Sequence, residues 1–238
     1  VDEEYFATAT ELTTENTFFM LFDGNTALAD ASSLLLPATT LTSSCYGSMF
    51  DNCTALTAAP KLPATILASA CYDSMFYNCT ALTAAPELPA TKLADYCYYM
   101  MFNDCTGLTA LPADLLQATK LFGGCYSFMF NGCTGLTAIP DNFLPATTMA
   151  SECYKSMFEG CTGLTALPAT LLPATTLAEN CYKCMFEDCT GLTALPDNLL
   201  PASTLAKSCY HRMFYGCSGL TALPATLLPA TTMAESCY

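Results

Sequence analysis

Cysteine is the residue type in this sequence with the widest chemistry, because thiols bind metals, form disulfides and act as nucleophiles. The chain has sixteen cysteines among 238 residues, and all but one recur at two positions of a repeat of 26 or 28 residues. The first position, which we call the first Cys column, holds Cys45, Cys71, Cys97, Cys125, Cys153, Cys181, Cys209 and Cys237. The second Cys column holds Cys53, Cys79, Cys105, Cys133, Cys161, Cys189 and Cys217.

Their spacing argues against a metal site. Zinc sites use close cysteine pairs or histidines, whereas here seven residues separate the two columns and His211 is the single histidine. The sequence therefore predicts no metal and no cofactor. Two readings of the thiols remain: buried free thiols filling small core positions, or disulfides within or between repeats. Export to an oxidising compartment would favour disulfides.

Cys184 lies outside both columns. The helical pattern described below places it at the edge of a solvent-facing side, so it is a candidate exposed thiol, either reactive or incidental. His211 falls on the same side without a carboxylate fixed beside it. No nucleophile, acid and base recur together along the chain, so the sequence predicts that the protein is not an enzyme.

The cysteines fall within a pattern that predicts a helix in every repeat. In the copy from Leu177 to Cys189, the apolar residues occupy one half of a helical wheel and the polar residues mostly the other. Gly123 and Gly124 weaken this pattern in one copy, because glycine destabilises helices.

A short strand is expected after each helix, where the sequence reads T-G-L-T-A-L-P, as in Leu192 to Leu195. Stacked parallel strands would place one threonine of every repeat on the outside, forming a possible binding face. We call these residues the Thr column: Thr57, Thr83, Thr109, Thr137, Thr165, Thr193 and Thr221. Threonine is also simply a good exposed strand residue.

The regular period predicts an α/β leucine-rich-repeat solenoid of about seven to eight coils, each with one helix and one short parallel strand. Residues 1–28 are expected to form an acidic N-terminal cap and a degenerate first coil, with Thr17 and Asn25 in the two cysteine positions. Residues 29–238 are expected to form the solenoid, with an incomplete last coil.

The motif M-F-x-x-C-T-x-L-T-x-x-P, followed by L-P-A-T, resembles the BspA-like leucine-rich-repeat surface proteins over residues 17–238. The resemblance implies an α/β solenoid, a location at the cell surface or outside the cell, and binding or adhesion rather than catalysis. This chain differs in its longer repeat and in the additional cysteine before tyrosine. The resemblance identifies no ligand, because that family has no fixed ligand site.

The charge of the chain limits its partners. A net charge of −14 disfavours nucleic acid and anionic membrane surfaces, and no apolar segment is long enough to span a bilayer. The expected partner is a protein or glycan on a cell or host surface. Because the last repeat stops at Tyr238 with its apolar side uncovered, the alternative is end-to-end self-association into extracellular filaments.

Overall fold

The prediction of a helix and a strand in each repeat is wrong. The computed structural model describes residues 10–238. This part of the chain contains no helix, and its only β-type pairing is a set of isolated parallel bridges. The structure consists instead of coils, each one repeat long, that stack on one another. The acidic part of the expected cap, at residues 1–9, lies outside the described residues.

A ten-residue run of consecutive turns replaces the expected helix in each coil. These turn runs cover residues 15–24, 43–52, 69–78, 95–104, 123–132, 151–160, 179–188 and 207–216. Within the run at 43–52, the backbone N–H groups of Gly47, Met49 and Asp51 donate to the carbonyl three residues earlier, at 3.2–3.3 Å. The intervening residues make no such bond, so only every second residue has the i→i−3 bond of a 3₁₀-helix, in place of the continuous i→i−4 bonds of an α-helix.

The other half of the N–H groups binds the next coil. Ser44, Tyr46, Ser48, Phe50 and Asn52 donate to carbonyls of the turn run at 69–78, at distances of 2.7–3.0 Å. Buried backbone groups are therefore satisfied alternately within a coil and between coils. The stacking of coils is thus a backbone interaction as well as a side-chain interaction.

Every fourth residue of a turn run has a positive φ, which an α-helix cannot accommodate. In the run at 151–160 these residues are Glu152 (φ 58°), Ser156 (53°) and Gly160 (70°). The last such position, just before the second cysteine, is always Asn, Asp or Gly, the residues that tolerate the left-handed region best. It holds Asn52, Asn78, Asp104, Gly132, Gly160, Asp188 and Gly216.

Two columns of aromatic rings form the core along the stacking direction. The Tyr column runs from Phe18 through Tyr46 to Tyr238, with stacked rings whose centroids lie 5.5–6.1 Å apart. The Phe column runs from Phe22 through Phe50 to Phe214, at 5.3–5.8 Å. These separations suit offset stacking, so each ring packs on its counterpart in the next coil. The expected first coil is part of both columns through Phe18 and Phe22.

All but one of the parallel bridges lie away from the segment that was expected to form strands; the exception joins Asp30 to Ala58. The others join residues just before the turn runs, such as Lys120, Thr148, Thr176, Thr204 and Thr232 in succession. The segment from Leu192 to Leu195 forms no bridge. The expected strand at that place is therefore absent, and the Thr column stands on an irregular stretch of backbone.

The glycine of T-G-L serves close packing between coils rather than a turn out of a helix. A Cβ atom at Gly107 would lie 2.6 Å from the Thr80 carbonyl oxygen, and one at Gly163 would lie 2.5 Å from that of Thr134. Neither glycine has a positive φ. Glycine is needed here because the backbone of the preceding coil leaves no space for a side chain.

Candidate functional site

The Thr column is exposed to solvent in every coil from Thr57 to Thr221. It forms a line of small polar side chains whose spacing is set by the stacking of the rigid core. Some of its hydroxyl groups point back towards the chain: the Thr57 Oγ donates to the Ala29 carbonyl at 2.8 Å, and the Thr193 Oγ donates to the Thr165 carbonyl at 3.4 Å. These bonds fix the hydroxyl orientation of Thr57 and Thr193.

A second exposed line follows the parallel bridges. In the later coils it consists of paired small residues, Thr147 and Thr148, Thr175 and Thr176, and Ser203 and Thr204. In the earlier coils Ile66, Lys92 and Lys120 interrupt it. This second line is chemically similar to the Thr column but less regular, which makes it a useful internal control.

The second Cys column has a specific structural role. Each of its seven thiols donates to the carbonyl oxygen of the phenylalanine in the preceding coil, at 3.0–3.1 Å. That carbonyl also accepts the backbone N–H of the cysteine in its own coil, as in the bond from Cys53 to Phe50 at 3.1 Å. The thiol thus gives a fully buried carbonyl a second partner, in a position too small for a longer donor.

The first Cys column is equally buried. Its members lie beside the Tyr column, and the carbonyl of each accepts the N–H of a core aromatic residue one coil earlier, as from Tyr72 to Cys97 at 3.0 Å. Burial, followed by the neighbouring Cys125, raises the pKa of the Cys153 thiol to about 12. Such a thiol carries almost no thiolate at neutral pH and is therefore a poor nucleophile.

All sixteen cysteines are free thiols in the structure. Of the two readings left open by the sequence, the structure therefore contains buried thiols.

Cys184 is not the exposed thiol that the helical pattern placed at the surface. It is 9 % exposed, because a turn run has a different angular arrangement from a helix. Burial, together with a hydrogen bond to Glu187 and that residue's charge, raises the pKa of Cys184 to about 12. Glu187 in turn forms an ion pair with Arg212, whose guanidinium lies 4.2 Å from the centroid of the Tyr215 ring. These contacts describe a packed surface network rather than a nucleophile with its base.

Within residues 10–238, no group of histidine, cysteine, aspartate or glutamate side chains has an arrangement that could hold a metal ion. The backbone carbonyl of His211 accepts the N–H of Cys184 at 2.9 Å. Nor does this part of the chain contain a helix with the length and apolar character needed to cross a bilayer.

The sequence reasoning missed a group of surface aromatic residues, Tyr96, Tyr99 and Phe128, which we call the aromatic cluster. Other coils carry smaller or polar residues such as Ala70, Asp73 and Ser156 at these positions. A comparison of the repeats position by position would have revealed this departure, whereas a helical wheel drawn for one repeat does not compare the coils.

No family model, curated protein or solved structure matches this chain. The likeness to BspA-like proteins therefore rests on the short motif alone, and the helix-containing fold that it implied is absent from residues 10–238.

Proposed function

We propose that this protein is a non-enzymatic binding module that presents a periodic surface to a protein or glycan partner, outside the cell or at its surface. The observation that carries the proposal is the Thr column, which is exposed at every coil along a core of stacked rings. Regular spacing on a rigid support suits recognition of an extended partner, because little conformational entropy is lost on binding.

The burial of the reactive groups also supports a binding role. The thiols are inside the core. Among the charged side chains of the turn runs, Lys155 forms an ion pair with Glu152 and Arg212 forms one with Glu187. The net charge of −14 favours neutral or basic partners over nucleic acid.

The experiment is a screen of the chain against arrayed glycans and cell-surface proteins, followed by paired variants. Thr137→Lys with Thr165→Lys changes the Thr column, and Thr147→Lys with Thr175→Lys makes the same change on the bridged line. We expect the first pair to abolish binding and the second to retain it. Equal loss in both, or no loss in either, would remove the Thr column as the binding face.

A second candidate function is head-to-tail assembly into filaments. The observation in its favour is an apolar recess near each end of the described residues: one of about 800 Å³ lined by Leu200, Phe214 and Tyr238, and one of about 480 Å³ lined by Phe22 and Phe50. Light scattering over a range of concentrations tests this proposal, with Phe22→Asp as the variant that should prevent growth. A species that remains monomeric at all concentrations excludes it.

A further inference from the structure

The aromatic cluster is a local break in an otherwise regular surface. Tyr96 and Tyr99 meet edge to face with ring centroids 5.8 Å apart, and Tyr99 and Phe128 meet in the same way at 5.8 Å. Tyr96 is 45 % exposed, and Tyr99 and Phe128 are half-buried. Aromatic surface therefore reaches solvent at a place where most other coils present small or polar side chains.

The glycines of the same region make room for this cluster. Gly124 follows Tyr96 by one coil, and a Cβ atom at Gly124 would collide with the Tyr96 ring. The Asp95 carboxylate accepts the N–H of Gly123 at 2.7 Å. The glycine pair that weakened the expected helix is thus explained by the seating of Tyr96, which fixes the ring against the backbone.

The surroundings of the cluster are negatively charged, with one cation already in contact. Burial, followed by the negative charges of Asp73 and Glu152, raises the pKa of Tyr99. Lys155 extends over Phe128, with its Nζ 5.8 Å from the ring centroid, and forms a hydrogen-bonded ion pair with Glu152 at 3.2 Å. An ammonium group therefore binds here between an aromatic face and a carboxylate, the combination that favours organic cations.

We propose that the aromatic cluster, together with Glu152, binds the side-chain ammonium of a lysine presented by a partner protein. The chain's own Lys155 shows that such a group fits, and it competes with the incoming lysine. The three carboxylates of Asp73, Asp95 and Glu152 against one lysine make the site complementary to a cation. The proposal shares the protein partner with the proposed function but does not use the Thr column.

The test titrates the full chain with three blocked tripeptides that differ only in the central residue: lysine, norleucine, which is the uncharged analogue, and trimethyllysine. Proton NMR of the ε-protons of the central residue, which are methylene protons in lysine and trimethyllysine and methyl protons in norleucine, reports the site, because a ring face shifts these protons upfield and a carboxylate alone does not. The lysine peptide should show a saturable upfield shift, and the norleucine peptide should show none.

Three variants and one control assign the site. Tyr99→Leu and Phe128→Leu keep an apolar side chain but remove a ring, and each should weaken lysine binding about fivefold, the equivalent of one cation–π contact. Lys155→Met removes the internal competitor and should strengthen binding severalfold. Tyr215→Leu is the control: it removes an exposed ring outside the aromatic cluster that contacts the Arg212 guanidinium. It should leave lysine binding unchanged.

The outcomes separate this proposal from its alternatives. Norleucine binding as tightly as lysine would show a merely apolar patch and would overturn the proposal. Trimethyllysine binding well above lysine would instead assign the site to quaternary ammonium ligands and overturn the choice of a lysine partner. Loss of binding in Lys155→Met would also overturn it. If the Thr137→Lys and Thr165→Lys changes do not reduce partner binding while the lysine peptide still binds, the Thr column is excluded as the binding face but the lysine site is retained.

Discussion

Replacing Ala70 by glycine should stabilise the protein, whereas the same change in a helix destabilises it. Ala70 has a φ of 52°, in the left-handed region. An L-residue in this region costs roughly 1–2 kcal/mol, which glycine does not pay. Because glycine has more conformational freedom in the unfolded chain, about 0.4–1 kcal/mol of this stabilisation is lost. The net expectation is a gain of about 0.5–1 kcal/mol, against a loss of about 1 kcal/mol in a helix interior.

Gly160→Ala is the reverse change at an equivalent kind of position. Gly160 has a φ of 70°, and a Cβ atom there would make only ordinary contacts, at 3.7 Å from Gly132. Steric collision is therefore not involved, and the alanine should destabilise the protein by about 0.5–1 kcal/mol through backbone strain alone. In a helix the same alanine would stabilise it.

Urea denaturation followed by tyrosine fluorescence measures both free-energy changes. Because each variant differs by a single methyl group, lost side-chain packing contributes little. If Ala70→Gly destabilises the protein and Gly160→Ala stabilises it, the turn run is refuted and a helix at these positions is supported instead.

Three further predictions concern the core, the thiols and pH. Phe158, fully buried between Phe130 and Phe186 at 5.6 and 5.7 Å, should cost about 3–5 kcal/mol when replaced by alanine, and a loss below about 1 kcal/mol in urea denaturation would contradict its placement. Thiol titration without reductant should detect almost no reactive cysteine in the native protein and sixteen after unfolding, whereas four or fewer would show that disulfides dominate. Burial and the charge of Asp23 raise the pKa of Asp51 from 3.8 to about 6, so its contribution to stability is present at low pH and lost as the pH rises through about 6. In the Asp51→Asn variant the amide oxygen can still accept the 2.8 Å bond from Asn52. This variant should raise the free energy of unfolding near neutral pH by about 1 kcal/mol after solvent screening and leave it unchanged near pH 4. An equal gain at both pH values in urea denaturation would be inconsistent with this pKa.

The apolar pattern identified the interior but not the backbone that presents it. Cys45, Met49 and Cys53, and likewise Tyr46 and Phe50, are spaced by four residues and are buried. That spacing is close to one helical turn, but it is also the period of the turn run, in which every fourth residue is left-handed. Hydrophobic periodicity alone cannot separate the two structures.

A different signal in the sequence does separate them. The position before the second cysteine is Asn, Asp or Gly in every complete repeat, for example Asn78, Asp104 and Gly132. These residues are poor inside helices and suited to positive φ, so their recurrence indicates a turn. Left-handed positions at Ala70, Met100 and Phe128 have no such residue preference and could not have been predicted.

Because the backbone conformation could not be predicted, some features of the candidate sites were predicted correctly and others were missed. Each threonine of the Thr column except Thr221 follows a buried leucine, such as Leu164 before Thr165. The exposure of these threonines could therefore be predicted from the alternation of buried and exposed residues, even without a strand. Cys184 depends on the exact rotation per residue, which differs between a helix and a turn run, and its burial was missed. The aromatic cluster requires contacts between coils, from Tyr96 to Gly124, that no single repeat contains.

Far-ultraviolet circular dichroism of the reduced, monomeric protein tests the central claim most directly. If each coil is a run of turns joined to its neighbours by backbone hydrogen bonds, the spectrum will lack the paired minima of an α-helix, and thermal unfolding will produce no loss of a helical signal. If each repeat instead contains a helix of about three turns, close to a third of the chain will be helical and both minima will be strong. That second spectrum would contradict the fold described here.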